Sequence, residues 1–93
     1  MDSKPDKQFF ELADRFIALA NESTRSMPIP RVSAALMYAA ARFNTFAVVT
    51  VAPSPEAAQD EAVPYLVAQY ELMCQESIQE QIRLRWTPVA GGV

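Results

Sequence analysis

The stretch from Val32 to Ala52 constrains the fold more than any other part of the chain. It is almost wholly apolar, yet Arg42 and Asn44 lie near its middle. This pattern predicts a helix that is buried on nearly every side, with both polar side chains bonded inside the protein. A segment of this length could also span a membrane. However, Arg42 would then lie at the bilayer centre, which costs about 3 kcal/mol or more. We therefore expect a central protein helix and no membrane partner.

Apolar side chains recur every three or four residues in three segments, as they do on amphipathic helices. The first segment runs from about Pro5 to Ser23, and Ser3 is its expected N-cap. The second runs from about Arg31 to Val51. The third begins at an N-cap, Ser54, and continues to about Arg85. The chain has seven prolines and two glycines, and its prolines separate the segments. The sequence predicts an all-α fold, a small antiparallel bundle of three main helices with the second in the middle.

Pro64 interrupts the third segment. Either this helix is kinked near Asp60, or a short helix ends there and a new one starts with Pro64 in its first turn. We favour one kinked helix. Residues 1–86 are expected to form a single helical domain, and residues 87–93 a flexible C-terminal tail.

The second segment carries two apolar seams, which predicts two neighbouring helices, or one neighbour and a second copy of the chain. A single core in 93 residues is small and marginally stable. We therefore expect a two-fold homodimer, with an unidentified protein partner as a further possibility. The seams are Val32, Leu36, Ala39, Phe43, Phe46 and Thr50, and Ser33, Met37, Ala40, Asn44, Val48 and Val51.

Catalytic and cofactor motifs are missing from the sequence. It contains no histidine, no glycine-rich phosphate loop and one cysteine, Cys74, which lies in an apolar stripe and is expected to be buried. The net charge is −3 with scattered basic residues, which argues against nucleic-acid binding. We expect no enzyme activity, metal or cofactor. A lone thiol and an N-terminus without an apolar signal region favour a cytoplasmic, bacterial protein.

Five polar residues form the candidate cluster: Arg42, Asn44, Tyr38, Glu11 and Asp14. The structural interpretation pairs the Arg42 guanidinium with Glu11, with Asp14 or with an acid of the third helix. In the functional interpretation, Arg42 receives a small anion or an acidic group of a partner. Asn44 is expected to fix helix register by hydrogen bonding.

Two runs of sequence carry a family resemblance: Phe10-Glu11-Leu12-Ala13-Asp14-Arg15-Phe16-Ile17 with Leu19-Ala20-Asn21, and the run from Val32 to Asn44, which contains Ala-Ala-Arg-Phe-Asn. They resemble an uncharacterised family of small proteobacterial proteins, a domain of unknown function. The resemblance covers the first two helices well and the third loosely, with Pro64 and the tail as departures. It implies a small all-helical bacterial protein and transfers no activity.

These observations favour a non-enzymatic interaction or regulatory protein that acts as a homodimer. The alternative is a helical bundle, centred on Arg42, that binds a small ligand or an anion.

Overall fold

The computed structural model describes residues 5–84, which form three helices and no strand. Helix α1 spans Lys7–Ser23 and helix α2 spans Ile29–Val51. Helix α3 consists of three consecutive stretches, the α-helical Pro55–Ala57, the π-helical Ala58–Ala62 and the α-helical Val63–Arg83. The all-α prediction is confirmed. The expected N-cap at Ser3 and the expected tail at residues 87–93 lie outside the described residues.

Helix α1 begins slightly later than its sequence pattern suggested. Asp6 is the N-cap, in an extended conformation, and its Oδ1 accepts a hydrogen bond from the Phe9 N–H at 2.9 Å. This bond satisfies one of the N–H groups that the first helical turn leaves without a backbone partner. At the other end, the Thr24 hydroxyl donates to the Asn21 carbonyl at 2.6 Å. The helix therefore starts two residues after the expected position near Pro5.

Helix α2 begins two residues before the expected start at Arg31. The N–H groups of Arg31 and Val32 donate to the Pro28 carbonyl at 3.0 and 3.1 Å. Pro30 lies in the first turn, where a missing N–H costs no intrahelical bond and the fixed φ angle suits the helix.

Helix α3 begins where the sequence predicted, because its capping signals are local. The Ser54 hydroxyl accepts a hydrogen bond from the Ala57 N–H at 3.1 Å, and Pro55 occupies the first turn. The helix then continues through Pro64, as the kinked-helix interpretation required. Proline lacks an N–H, and its ring clashes with the carbonyl four residues earlier, here that of Asp60. The wider π-helical turn contains Asp60, so the distortion falls where the proline requires it.

The described residues divide into two compact units, residues 5–37 and residues 38–84. The first contains α1 and the start of α2, and it buries Val32, which is 8% exposed. The second contains the rest of α2 and α3, and it buries Ala58, also 8% exposed. Among the described residues, these two are the buried hydrophobic side chains. Within each unit, the described residues therefore form very little core.

The expected burial of α2 on nearly every side is not found within the single chain. Phe43 is 68% exposed and Phe46 is 64% exposed, and α2 buries Val32 alone. The apolar pattern correctly marks surfaces that favour burial, but it does not say whether the same chain covers them. Cys74 likewise lies on the surface of α3, so its expected burial is also wrong.

Candidate functional site

Helix α2 exposes large apolar side chains, as α1 and α3 also do, and it combines this exposure with the most apolar sequence of the three helices. Large side chains are accessible along its whole length, from Ile29 at the first turn to Val51 at the last. Scattered exposed hydrophobic residues are normal in proteins, but a continuous set along one helix marks an interaction surface. The set comprises Ile29, Leu36, Met37, Tyr38, Phe43, Phe46, Val49 and Val51.

Arg42 and Tyr38 are the two predicted site residues that the structure brings together. They lie one turn apart on α2, and the Arg42 Nη1 donates to the Tyr38 hydroxyl at 3.5 Å, a long and weak hydrogen bond. The guanidinium carbon lies 5.8 Å from the centre of the Tyr38 ring, within cation–π range. Both side chains are exposed. The cation therefore has an aromatic neighbour on its own helix, and the expectation that it is embedded is wrong.

The other predicted site residues are also exposed. Glu11 lies on α1, where its Oε1 is 4.0 Å from the Lys7 ammonium, one turn earlier. Asp14 is on the same helix and Asn44 is on α2, and both side chains face solvent. Because Glu11 and Asp14 belong to the first unit and Arg42 to the second, an ion pair between them remains a prediction.

A small apolar cavity lies inside the second unit, beside the π-helical stretch. Its volume is about 160 Å³, and it opens to solvent. Arg42 is not among its lining residues, so the cavity does not join the predicted polar cluster. Sequence reasoning missed this cavity, although Pro64, which explains the π-helical turn, was the available signal. The lining includes Val48, Val49, Ala58, Ala62, Val63 and Leu66.

On α3, Tyr70 lies one turn before Cys74. Hydrogen bonding with the Cys74 side chain, followed by its charge, raises the pKa of the Tyr70 hydroxyl. Further along the helix, Arg83 Nη2 and Glu80 Oε2 form an ion pair at 2.6 Å. Within residues 5–84 no three acidic or cysteine side chains converge as metal ligands would.

Helix α2 also has the length and composition of a membrane span. Within the described part of the chain, it is the one helix that is long and apolar enough to cross a bilayer. Core helices of water-surrounded proteins can have the same length and composition. Such core helices are mostly covered by protein, whereas this one is exposed in the single chain.

Comparison with known proteins places the chain in a family. No curated protein and no solved structure matches it. The sequence model of a family described as "Protein of unknown function (DUF3144)" matches residues 9–82, which include α1, α2 and almost all of α3. This match confirms the resemblance to a family without an assigned activity. The chain belongs to the DUF3144 family of proteins of unknown function.

Proposed function

We propose that this protein acts without catalysis, as a homodimeric interaction protein whose two copies associate through α2. The observation that supports the proposal is the exposed apolar surface of α2, from Ile29 to Val51, in a chain that buries only two described hydrophobic side chains. Burying one large apolar side chain contributes about 1.5–3 kcal/mol, so two buried positions stabilise a domain weakly. Association with a second copy supplies the missing core.

A homodimer explains α2 better than a membrane span does. The exposed Arg42 makes a weak hydrogen bond to Tyr38 and a cation–π contact with the same ring. Those contacts do little to offset the ~3 kcal/mol or more that an arginine costs at the bilayer centre. In a water-surrounded dimer, the same side chain keeps its hydration. We propose further that the protein acts in the cytoplasm, with no membrane or nucleic-acid partner.

Sedimentation equilibrium and light scattering of the full chain test the proposal at micromolar concentration. We expect the mass of a dimer. Phe43→Ser is expected to weaken the dimer, because Phe43 is the most exposed aromatic side chain of α2. Its matched control is Tyr65→Ser, which removes a similarly exposed aromatic ring from α3 and is expected to leave the dimer intact.

Two results would contradict the proposal. One is a folded monomer across the whole concentration range. The other is a chain that remains in the membrane fraction of its cell and requires detergent for extraction, because that behaviour belongs to a membrane span.

A further inference from the structure

We infer that the two α2 helices pack antiparallel, with Ala40 of each copy at the crossing point. This inference rests on the proposed function, since it assigns the geometry of the same self-interface. It follows from the regular geometry of one continuous α-helix, Ile29–Val51, whose midpoint is residue 40. Each residue advances the side chain by about 100° around the axis and about 1.5 Å along it.

One face of α2 combines small residues with large apolar ones. Ser33, Ala40 and Ala47 recur every seven residues, so they form a line along the helix that lets another backbone approach closely. Leu36 and Phe43 flank this line on one side, and Met37 and Asn44 flank it on the other. All seven side chains are exposed. We call these seven residues the Ala40 face.

The charged residues of α2 avoid the Ala40 face. The helix has two, Arg31 and Arg42, and both fall nearly opposite Ala40 in angle. The contact between Arg42 and Tyr38 also lies on that far side. A partner helix on the Ala40 face therefore buries apolar surface without removing either guanidinium from water, which avoids the desolvation cost of a buried charge.

The charges beyond the two ends of α2 favour antiparallel packing. Near the N-terminal end, the two arginines Arg25 and Arg31 outnumber one acid, Glu22. Beyond the C-terminal end, only acids follow in the first turns of α3, namely Glu56, Asp60 and Glu61. An antiparallel pair brings the basic end of one copy to the acidic end of the other, whereas a parallel pair brings like charges together. Antiparallel helix dipoles add to this preference.

Side-chain pairing across the interface follows from a two-fold axis through Ala40. Phe43 of one copy lies beside the partner's Leu36, and Asn44 lies beside the partner's Met37. A parallel pair would instead set Phe43 against the partner's Asn44 amide. The antiparallel arrangement thus gives the larger ring an apolar neighbour and leaves the amide near the edge of the interface, where water can reach it.

Site-directed crosslinking tests the orientation, using the full chain with Cys74→Ser and a short bis-maleimide. Ala40→Cys is expected to crosslink to itself. Ser33→Cys and Ala47→Cys, each alone, are expected not to crosslink, because the two copies of each thiol lie ~20 Å apart along the axis. An equal mixture of these two variants is expected to give the mixed product, which mass spectrometry identifies. Ala35→Cys, on the far side of α2, is the control and stays uncrosslinked.

The outcomes separate this inference from the proposed function. Self-crosslinking of Ser33→Cys and Ala47→Cys in a dimer would show parallel packing and overturn the inference alone. A dimer in which none of the Ala40-face variants crosslinks would do the same. A monomer would overturn both. As a second measure, Ala40→Glu sets two carboxylates against each other and is expected to raise the dimer dissociation constant about 100-fold or more. Ala35→Glu is expected to leave that constant nearly unchanged.

Discussion

The Arg42 guanidinium lies over the Tyr38 ring of its own helix, 5.8 Å from the ring centre. An apolar helix with one central arginine would usually indicate a buried ion pair. Here the aromatic ring covers one face of the guanidinium, and the Arg42 side chain is otherwise exposed to water. The stability that this contact contributes is therefore expected to be small.

Replacing Arg42 by glutamine tests that expectation. We expect the free energy of unfolding to fall by at most about 0.5–1 kcal/mol, the range of an exposed cation–π contact. Chemical denaturation at one fixed chain concentration measures it, because dimer stability depends on concentration. Arg15→Gln replaces an exposed arginine of α1, away from the proposed interface, and serves as the control. A loss of several degrees in Tm for Arg42→Gln alone would instead support the predicted ion pair with Glu11 or Asp14.

The N-cap of α3 provides a second test. Ser54→Ala removes the hydroxyl that accepts from the Ala57 N–H, and we expect the free energy of unfolding to fall by about 1 kcal/mol. Ser54→Asp keeps an acceptor and is expected to restore most of it. Ser77→Ala, at an exposed position in the middle of α3, is the control. It removes only a long, solvent-exposed hydrogen bond from the Gln81 amide at 3.3 Å, so we expect a near-zero effect. Equal losses at Ser54 and Ser77 would contradict a capping role.

The two prolines of α3 should have opposite effects. Pro64→Ala restores the N–H that can bond the Asp60 carbonyl, so we expect the π-helical turn to become α-helical and stability to rise by about 1 kcal/mol. Pro55→Ala is expected to leave stability unchanged or lower it, because proline is favourable in the first turn. Hydrogen exchange of the residue 64 amide and thermal unfolding measure these effects. A destabilised Pro64→Ala variant would show that the π-helical turn does not arise from this proline.

Alkaline titration tests the link between Tyr70 and Cys74. The thiol and its negative charge raise the pKa of Tyr70, so Cys74→Ser is expected to lower the pH at which Tyr70 ionises. Ultraviolet absorbance follows this ionisation in a chain with Tyr38→Phe and Tyr65→Phe, which leaves one tyrosine. Because the folded-state pKa is raised, any linked stability is present below the usual tyrosine range and is lost as the pH rises through it. An unchanged titration would show that the two side chains act independently.

Local signals in the sequence predicted the helices well. Ser54 and Pro55 mark the start of α3 because capping depends on neighbouring residues alone, and the apolar period identified all three helices. The distortion at Asp60 followed from the covalent chemistry of Pro64.

Burial was predicted less well, because it depends on what covers each surface. The pattern around Phe43 and Phe46 requires an apolar neighbour, but the same pattern suits another helix of the chain and a second copy equally. The position of Cys74 in an apolar stripe gave the same ambiguity, and its thiol is exposed. Of the candidate site, proximity between Tyr38 and Arg42 could have been anticipated from their spacing of four, which places them on one side of α2.

The π-helical stretch Ala58–Ala62 has a consequence for reading related chains. A π-helical turn holds one residue more than an α-helical turn, so it behaves as a single-residue insertion within an otherwise regular helix. Positions before Ala58 and after Ala62 therefore follow two separate helical phases. A relative with one residue fewer here and no proline at position 64 would present the same surfaces from a straight helix, and alignments of the family should allow a gap at this place.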